Sequence, residues 1–140
     1  MTGIETGKIR VLLIDSARQA VDELQKIFEN NDYEVIAVQT GSEGLQQMNR
    51  QFPDIILADL ALPDMTGIEL LQQIKAIDPE MKVLLMGAHI TPTLICEAIR
   101  FGAVELLYEA FVACSIIHKI EYLLSHDPRI DFSGNRKKSA

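Results

Sequence analysis

Residues 54 to 74 read DIILADLALPDMTGIELLQQI, and this stretch decides the fold. It opens on DIILAD (54 to 59), where four consecutive apolar residues stand between two carboxylates. A strand alternates its side chains between two faces, so a run that is apolar at every position is buried on both sides. After a short loop, Thr66 and Glu69 have the S/T-x-x-E/Q spacing of a reciprocal helix cap, and TGIELLQQIKAI follows with apolar residues at helical intervals. The stretch therefore predicts a buried strand, a loop and an amphipathic helix.

The same unit recurs on both sides of it. IRVLLID (9 to 15) precedes SARQAVDELQKIFEN, in which Ala20, Leu24, Ile27 and Phe28 keep helical spacing. YEVIAV (33 to 38) precedes SEGLQQMNRQF, KVLLMG (82 to 87) precedes TPTLICEAIRFG, and VELLY (104 to 108) precedes a last helix from about Val112 to Ser125. Ser16 with Gln19 and Thr40 with Glu43 repeat the capping spacing. Thr91 before Pro92 predicts an N-cap with proline in the first turn, and Gly102 a helix end. Five strand–helix units of about 25 residues imply right-handed crossovers and a parallel sheet covered on both faces, an α/β domain of three layers.

Composition agrees with one globular domain. The chain has 140 residues, 48% hydrophobic and 24% charged, which excludes general disorder and collagen-like sequence. No apolar run approaches the length of a membrane span, and MTGIETGKIR lacks the apolar centre of a signal peptide, so a cytoplasmic location is expected. The net charge of −7 is uneven: residues 1 to 126 carry 9 basic and 18 acidic residues, whereas 127 to 140 carry 4 and 2. An acidic body argues against nucleic acid as a partner of this domain. The expected division is an N-terminal extension (1 to 8), a domain (9 to 126) and a tail or linker stub (127 to 140). Cys96 and Cys114 belong to no CxxC or Cys/His cluster and are expected to be core thiols. Met48, Met65, Met81 and Met86 are scattered and read as core filling or loop anchors.

Ligands of open parallel sheets gather beyond the carboxyl ends of the strands, where the strand order reverses. Asp15, Asp59, Gly87 and Glu109 all fall at such ends. Gathered carboxylates suit a hard cation such as magnesium, and an Asp in such a turn equally suits helix capping or turn amides. The loop DSARQ after the first strand has none of the glycines of a dinucleotide or P-loop site, and no G-x-S-x-G elbow occurs, which weighs against a flavodoxin-like enzyme.

With its Asp ending the third strand, Pro four residues on and Gly opening the next helix, the stretch from 54 to 74 resembles the phosphoacceptor segment of response-regulator receiver domains. IRVLLIDSA, VLLMGAH and FGAVELLYEAF fall at matching positions, so the resemblance runs from about 8 to 126. It implies a flavodoxin-like, CheY-like doubly wound sheet of order 2-1-3-4-5 and a signalling rather than enzymatic role in a two-component phosphorelay. It further implies Asp59 as phosphoacceptor, and magnesium held by Asp15, Asp59 and the Ala61 backbone carbonyl without an organic cofactor. A histidine kinase or a downstream signalling protein would be the partner, and the membrane would not be.

Five positions depart from that family pattern. Ser16 stands where a second acidic residue usually contacts the metal, and Gly87 where a Thr or Ser usually bonds the phosphate. Leu106 replaces the switching aromatic, and Glu109 the Lys that neutralises the phosphoryl oxygens, with Ala110 in place of the next proline. Phosphoryl transfer depends on positive charge and positioned donors, so these changes predict weakened or lost phosphorylation and a degenerate receiver acting by protein interaction. A working phosphoacceptor with altered metal binding and kinetics is the alternative. The fourth helix, fifth strand and fifth helix, with Leu94, Ile95, Ala98, Ile99, Leu106, Tyr108, Ile116 and Ile120, match the family's partner or dimer face, and about half of these residues must be core. Monomer and dimer both remain open.

Overall fold

The computed structural model describes residues 7–128. Five strands alternate with five helices: β1 (Arg10–Ile14), α1 (Arg18–Asn30), β2 (Glu34–Val38), α2 (Gly41–Gln51), β3 (Ile55–Asp59), α3 (Gly67–Ile77), β4 (Lys82–Gly87), α4 (Pro92–Arg100), β5 (Glu105–Tyr108) and α5 (Glu109–Ser125). All strands are parallel in the order β2-β1-β3-β4-β5, as the sequence predicts.

The period of two along each strand divides the core into two layers. Val11, Leu13, Ile55, Leu57, Leu84 and Met86 point to one face, where Leu24 and Phe28 of α1 and Val112, Ile116, Ile120 and Leu124 of α5 cover them. Leu12, Ile14, Ile56, Ala58, Val83 and Leu85 point to the other, against Met48 of α2, Leu70, Leu71 and Ile74 of α3 and Ala98 of α4. Burial on both faces accounts for the unbroken apolar runs that mark β1, β3 and β4.

Three expected caps form. Thr40 and Thr91 accept from the backbone N–H of Glu43 and Leu94, and Thr66 makes the full reciprocal box with Glu69. Gly102 follows α4 with φ +94°, a conformation that suits glycine. Thr66→Ala should therefore lower stability by about 1 kcal/mol, seen as a Tm decrease of about 3 °C.

Four expectations need correction. Ser16 does not cap α1; the helix starts one residue later with Ala17 at the N-cap, whose methyl cannot cap, and the Asp15 carboxylate accepts from Ala17 N–H at 3.0 Å. Helix α5 begins at Glu109, three residues before Val112, with no proline at 110 to delay it. Cys96 and Cys114 are exposed, since the buried stripes of their helices run through Ala98 and through Val112, Ile116 and Ile120. Asp127, assigned to the tail, is buried and pairs with Lys82 at 3.5 Å, so packing continues past α5. Residues 1 to 6 of the expected extension and 129 to 140 of the expected tail lie outside the described residues.

Candidate functional site

The strand order reverses beside β1, which lies between β2 and β3, and this places two carboxylates together. Ile14 pairs with Ala58, so the next residues, Asp15 and Asp59, emerge side by side at the carboxyl edge of the sheet. Asp15 is fully buried. Its Oδ1 accepts from Ala17 N–H, whereas Oδ2 is buried with no donor of its own among the described residues.

Asp59 is half-buried and accepts from Ala61 N–H at 3.2 Å through Oδ1. Its pKa is pushed up to about 6, chiefly by burial; the Ala61 bond works the other way, and the charge and hydrogen-bonding reach of Asp15, followed by the charge of Glu109, add to the rise. Two carboxyls within hydrogen-bonding reach share a proton or a cation more readily than they both stay bare. The buried, partnerless Oδ2 of Asp15 fits a hard cation next to Asp59. Among the described residues no three His, Cys, Asp or Glu side chains are grouped to hold a metal, so Glu109 adds charge to the site and not a third ligand. Magnesium often takes only one or two carboxylates, with water completing its shell, and the pair suffices for that chemistry.

The other predicted positions lie around this pair. Ser16 is exposed next to Asp15. Ala61 is exposed and forms an isolated antiparallel bridge with Thr66 across the loop after β3. Gly87 is buried at the end of β4, one residue beyond the Asp59–Met86 pair, and supplies no side-chain donor. Leu106, opposite Leu85, is half-buried against the α3 and α4 side of the core. Glu109 is exposed in the first turn of α5, where the positive end of the helix dipole favours an anion.

The family model for the response regulator receiver domain matches residues 11–121 of this chain. The chain belongs to the response regulator receiver domain family. It is 30% identical over 114 residues to the chemotaxis protein CheY of Listeria monocytogenes, covering 81% of this chain and 96% of that protein. It is 29% identical over 123 residues to the transcriptional regulatory protein ZraR of Escherichia coli, covering 88% of this chain and 28% of ZraR. A receiver domain from Methanospirillum hungatei superposes with a TM-score of 0.79 at 27% identity, over 83% of this chain and 93% of that one. Receivers are signalling modules of two-component systems that communicate with histidine kinases and downstream effectors. They typically use magnesium and no organic cofactor.

One contact in this receiver escaped the sequence reading. Asp64, in the loop after β3, accepts from Gly41 N–H, Ser42 N–H and the Ser42 hydroxyl at 2.8–2.9 Å, capping α2 from outside. The Gly41 and Ser42 bonds hold its pKa below the usual carboxylate range. The loop that follows Asp59 is thereby tied to a second helix. A carboxylate after a proline announces a turn, and nothing local to it announces a partner more than 20 residues earlier.

Proposed function

We propose that this chain is a receiver with impaired phosphoacceptor chemistry that signals mainly through an unphosphorylated protein-binding surface. The observation that carries the reading is the electrostatics of Asp59: burial raises its pKa, and Asp15 beside it and Glu109 nearby raise it too, where a cation would lower it. In the reaction the Asp59 carboxylate attacks the donor phosphorus, an acyl phosphate forms, and the donor's bridging oxygen leaves with the bonding electrons. The transferred oxygens bring further negative charge to a place where Glu109 is an anion and Gly87 offers no hydroxyl. Asp15, Asp59 and the Ala61 carbonyl are the groups that would hold magnesium, which supplies positive charge to those oxygens when bound. Ser16 puts a neutral hydroxyl where an acidic residue would add to its hold.

The face formed by α4, β5 and α5 supports the second half of the reading. Ala98, Ile116 and Ile120 are buried, and Leu94 and Leu106 are half-buried. Ile95 and Tyr108 are exposed with Val104, and Ile99 and Phe111 more so, at 70% and 62%. These residues give a partner, or a second copy of the chain, a broad apolar surface at one end of the sheet.

The test is incubation of the full chain with magnesium and acetyl phosphate, followed by intact mass. The expected result is no added phosphoryl group at millimolar donor over an hour. A gain of one phosphoryl group that disappears in Asp59→Asn overturns the impaired reading and makes the chain a working phosphoacceptor.

A further inference from the structure

Asp64 fastens the tip of the loop between β3 and α3 to the first turn of α2. Its Oδ1 accepts from Gly41 N–H at 2.9 Å, and its Oδ2 accepts from Ser42 N–H at 2.9 Å and from the Ser42 hydroxyl at 2.8 Å. Glu43 N–H goes to the Thr40 hydroxyl, so the opening amides of α2 are all satisfied, those of Gly41 and Ser42 by a residue of the loop. Both Asp64 oxygens are committed to these donors, in charge-assisted bonds that the helix dipole favours. Met65 lies against the same turn, and its Sδ accepts from Gln73 of α3 at 3.8 Å.

The loop carries Ala61, whose N–H donates to Asp59 Oδ1 at 3.2 Å. Leu60, just before it, is fixed to the sheet and to α3: its N–H donates to Met86 O and its C=O accepts from Gly67 N–H, both at 2.8 Å. From Ala61 onward the loop pairs with itself, Ala61 bridging to Thr66 and Leu62 N–H donating to Met65 O at 3.3 Å. The place of the Ala61 backbone is thus set from the sheet through Leu60 and from the tip through Asp64.

We infer that Asp64 is a positioning residue: by clasping α2 it holds the Ala61 carbonyl in place for the cation that Asp15 and Asp59 would share. This rests on the reading of Asp15, Asp59 and the Ala61 carbonyl as the groups that would hold magnesium. A metal ligand is only as well placed as the groups that orient it, and a loop that must be ordered on binding weakens the affinity by that cost.

The experiment titrates the full chain with magnesium chloride, follows the Asp59 and Ala61 amide signals by NMR to obtain the dissociation constant, and measures hydrogen exchange at Ala61 N–H without metal. Asp64→Ala is expected to weaken magnesium binding about tenfold and to speed exchange at Ala61 about tenfold. Asp64→Asn removes the same charge but keeps an oxygen for the α2 amides, and restores most of both. Thr40→Ala takes a cap from the same helix without touching the loop, so it lowers Tm as Asp64→Ala does and leaves both readouts at the parent's values. Unchanged binding in Asp64→Ala overturns the inference and leaves the magnesium reading standing. Asp64→Asn as weak as Asp64→Ala overturns it in favour of charge attraction alone, and Thr40→Ala as weak as Asp64→Ala overturns it in favour of helix capping. A parent whose amide signals do not move with magnesium overturns the metal reading and the inference with it, while exchange at Ala61 still reports whether Asp64 holds the loop.

Discussion

Glu109→Lys is expected to raise the rate at which Asp59 takes a phosphoryl group from acetyl phosphate by about a hundredfold. The substitution reverses a charge instead of deleting one. Glu109 now raises the pKa of Asp59 by its own charge, and the acyl phosphate that would form there is more negative than the carboxylate. A lysine would oppose that charge where it develops, the kind of preorganised term that phosphoryl transfer relies on. Stability sets a control. Glu109 lies in the first turn of α5, so the lysine loses a favourable interaction with the helix dipole while relieving repulsion with Asp59, and Tm should move little. A rate gain with unchanged Tm assigns the effect to electrostatics at the site. A rate that stays at the parent's value would mean that Ser16 or the missing donor at Gly87 limits the reaction, and that the charge at 109 is incidental.

How much of this was legible in the sequence follows from the range of each interaction. β1, β3 and β4 were readable because burial on both faces confines their polar residues, Arg10, Asp59 and Lys82, to the strand ends, and Thr40, Thr66 and Thr91 because a cap is settled within four residues. Asp15 and Asp59 were readable as strand-end carboxylates, and their meeting followed from the strand order. Ser16 misled because its spacing to Gln19 is that of a cap, while the helix begins one residue later with Ala17 at the N-cap. Cys96 and Cys114 misled because an apolar residue in a helical segment can fall on either side of the buried stripe. Phe111 was missed as a surface residue because α5 was expected to start at Val112, just beyond it. The Asp64–Ser42 contact joins residues 22 positions apart. It depends on the path of the loop after β3, which no local pattern specifies.

The second large effect concerns pH. Stability of the metal-free chain should fall as pH rises from about 4 to about 6, and Asp59→Asn should remove most of that slope. An unfolded Asp titrates near 3.9, and in the folded chain burial and Asp15 push Asp59 up to about 6. Between those values the folded state holds a proton that the unfolded state has lost, so the contribution is fully present below the lower value and is lost as pH passes the upper one. Because Asp59 is half-exposed and solvent screens its charge, the loss by pH 7.5 is about 1–2 kcal/mol. The asparagine amide keeps an oxygen for Ala61 N–H and offers N–H groups to the partnerless Oδ2 of Asp15, so it replaces the shared proton without titrating. At pH 7.5 Asp59→Asn should therefore be more stable than the parent, with a Tm higher by about 4 °C, and at pH 4 the two should nearly coincide. Magnesium makes the reciprocal prediction. A cation that binds the folded pair raises the parent's Tm at pH 7.5 and has much less effect at pH 5, where protons compete for the same carboxylates, or on Asp59→Asn at either pH. Equal Tm values for parent and Asp59→Asn at pH 7.5 would show that Asp15 and Asp59 do not repel one another. The same carboxylates that destabilise the empty fold are those that would hold a cation, so magnesium, and not further packing, is what should offset their repulsion at neutral pH.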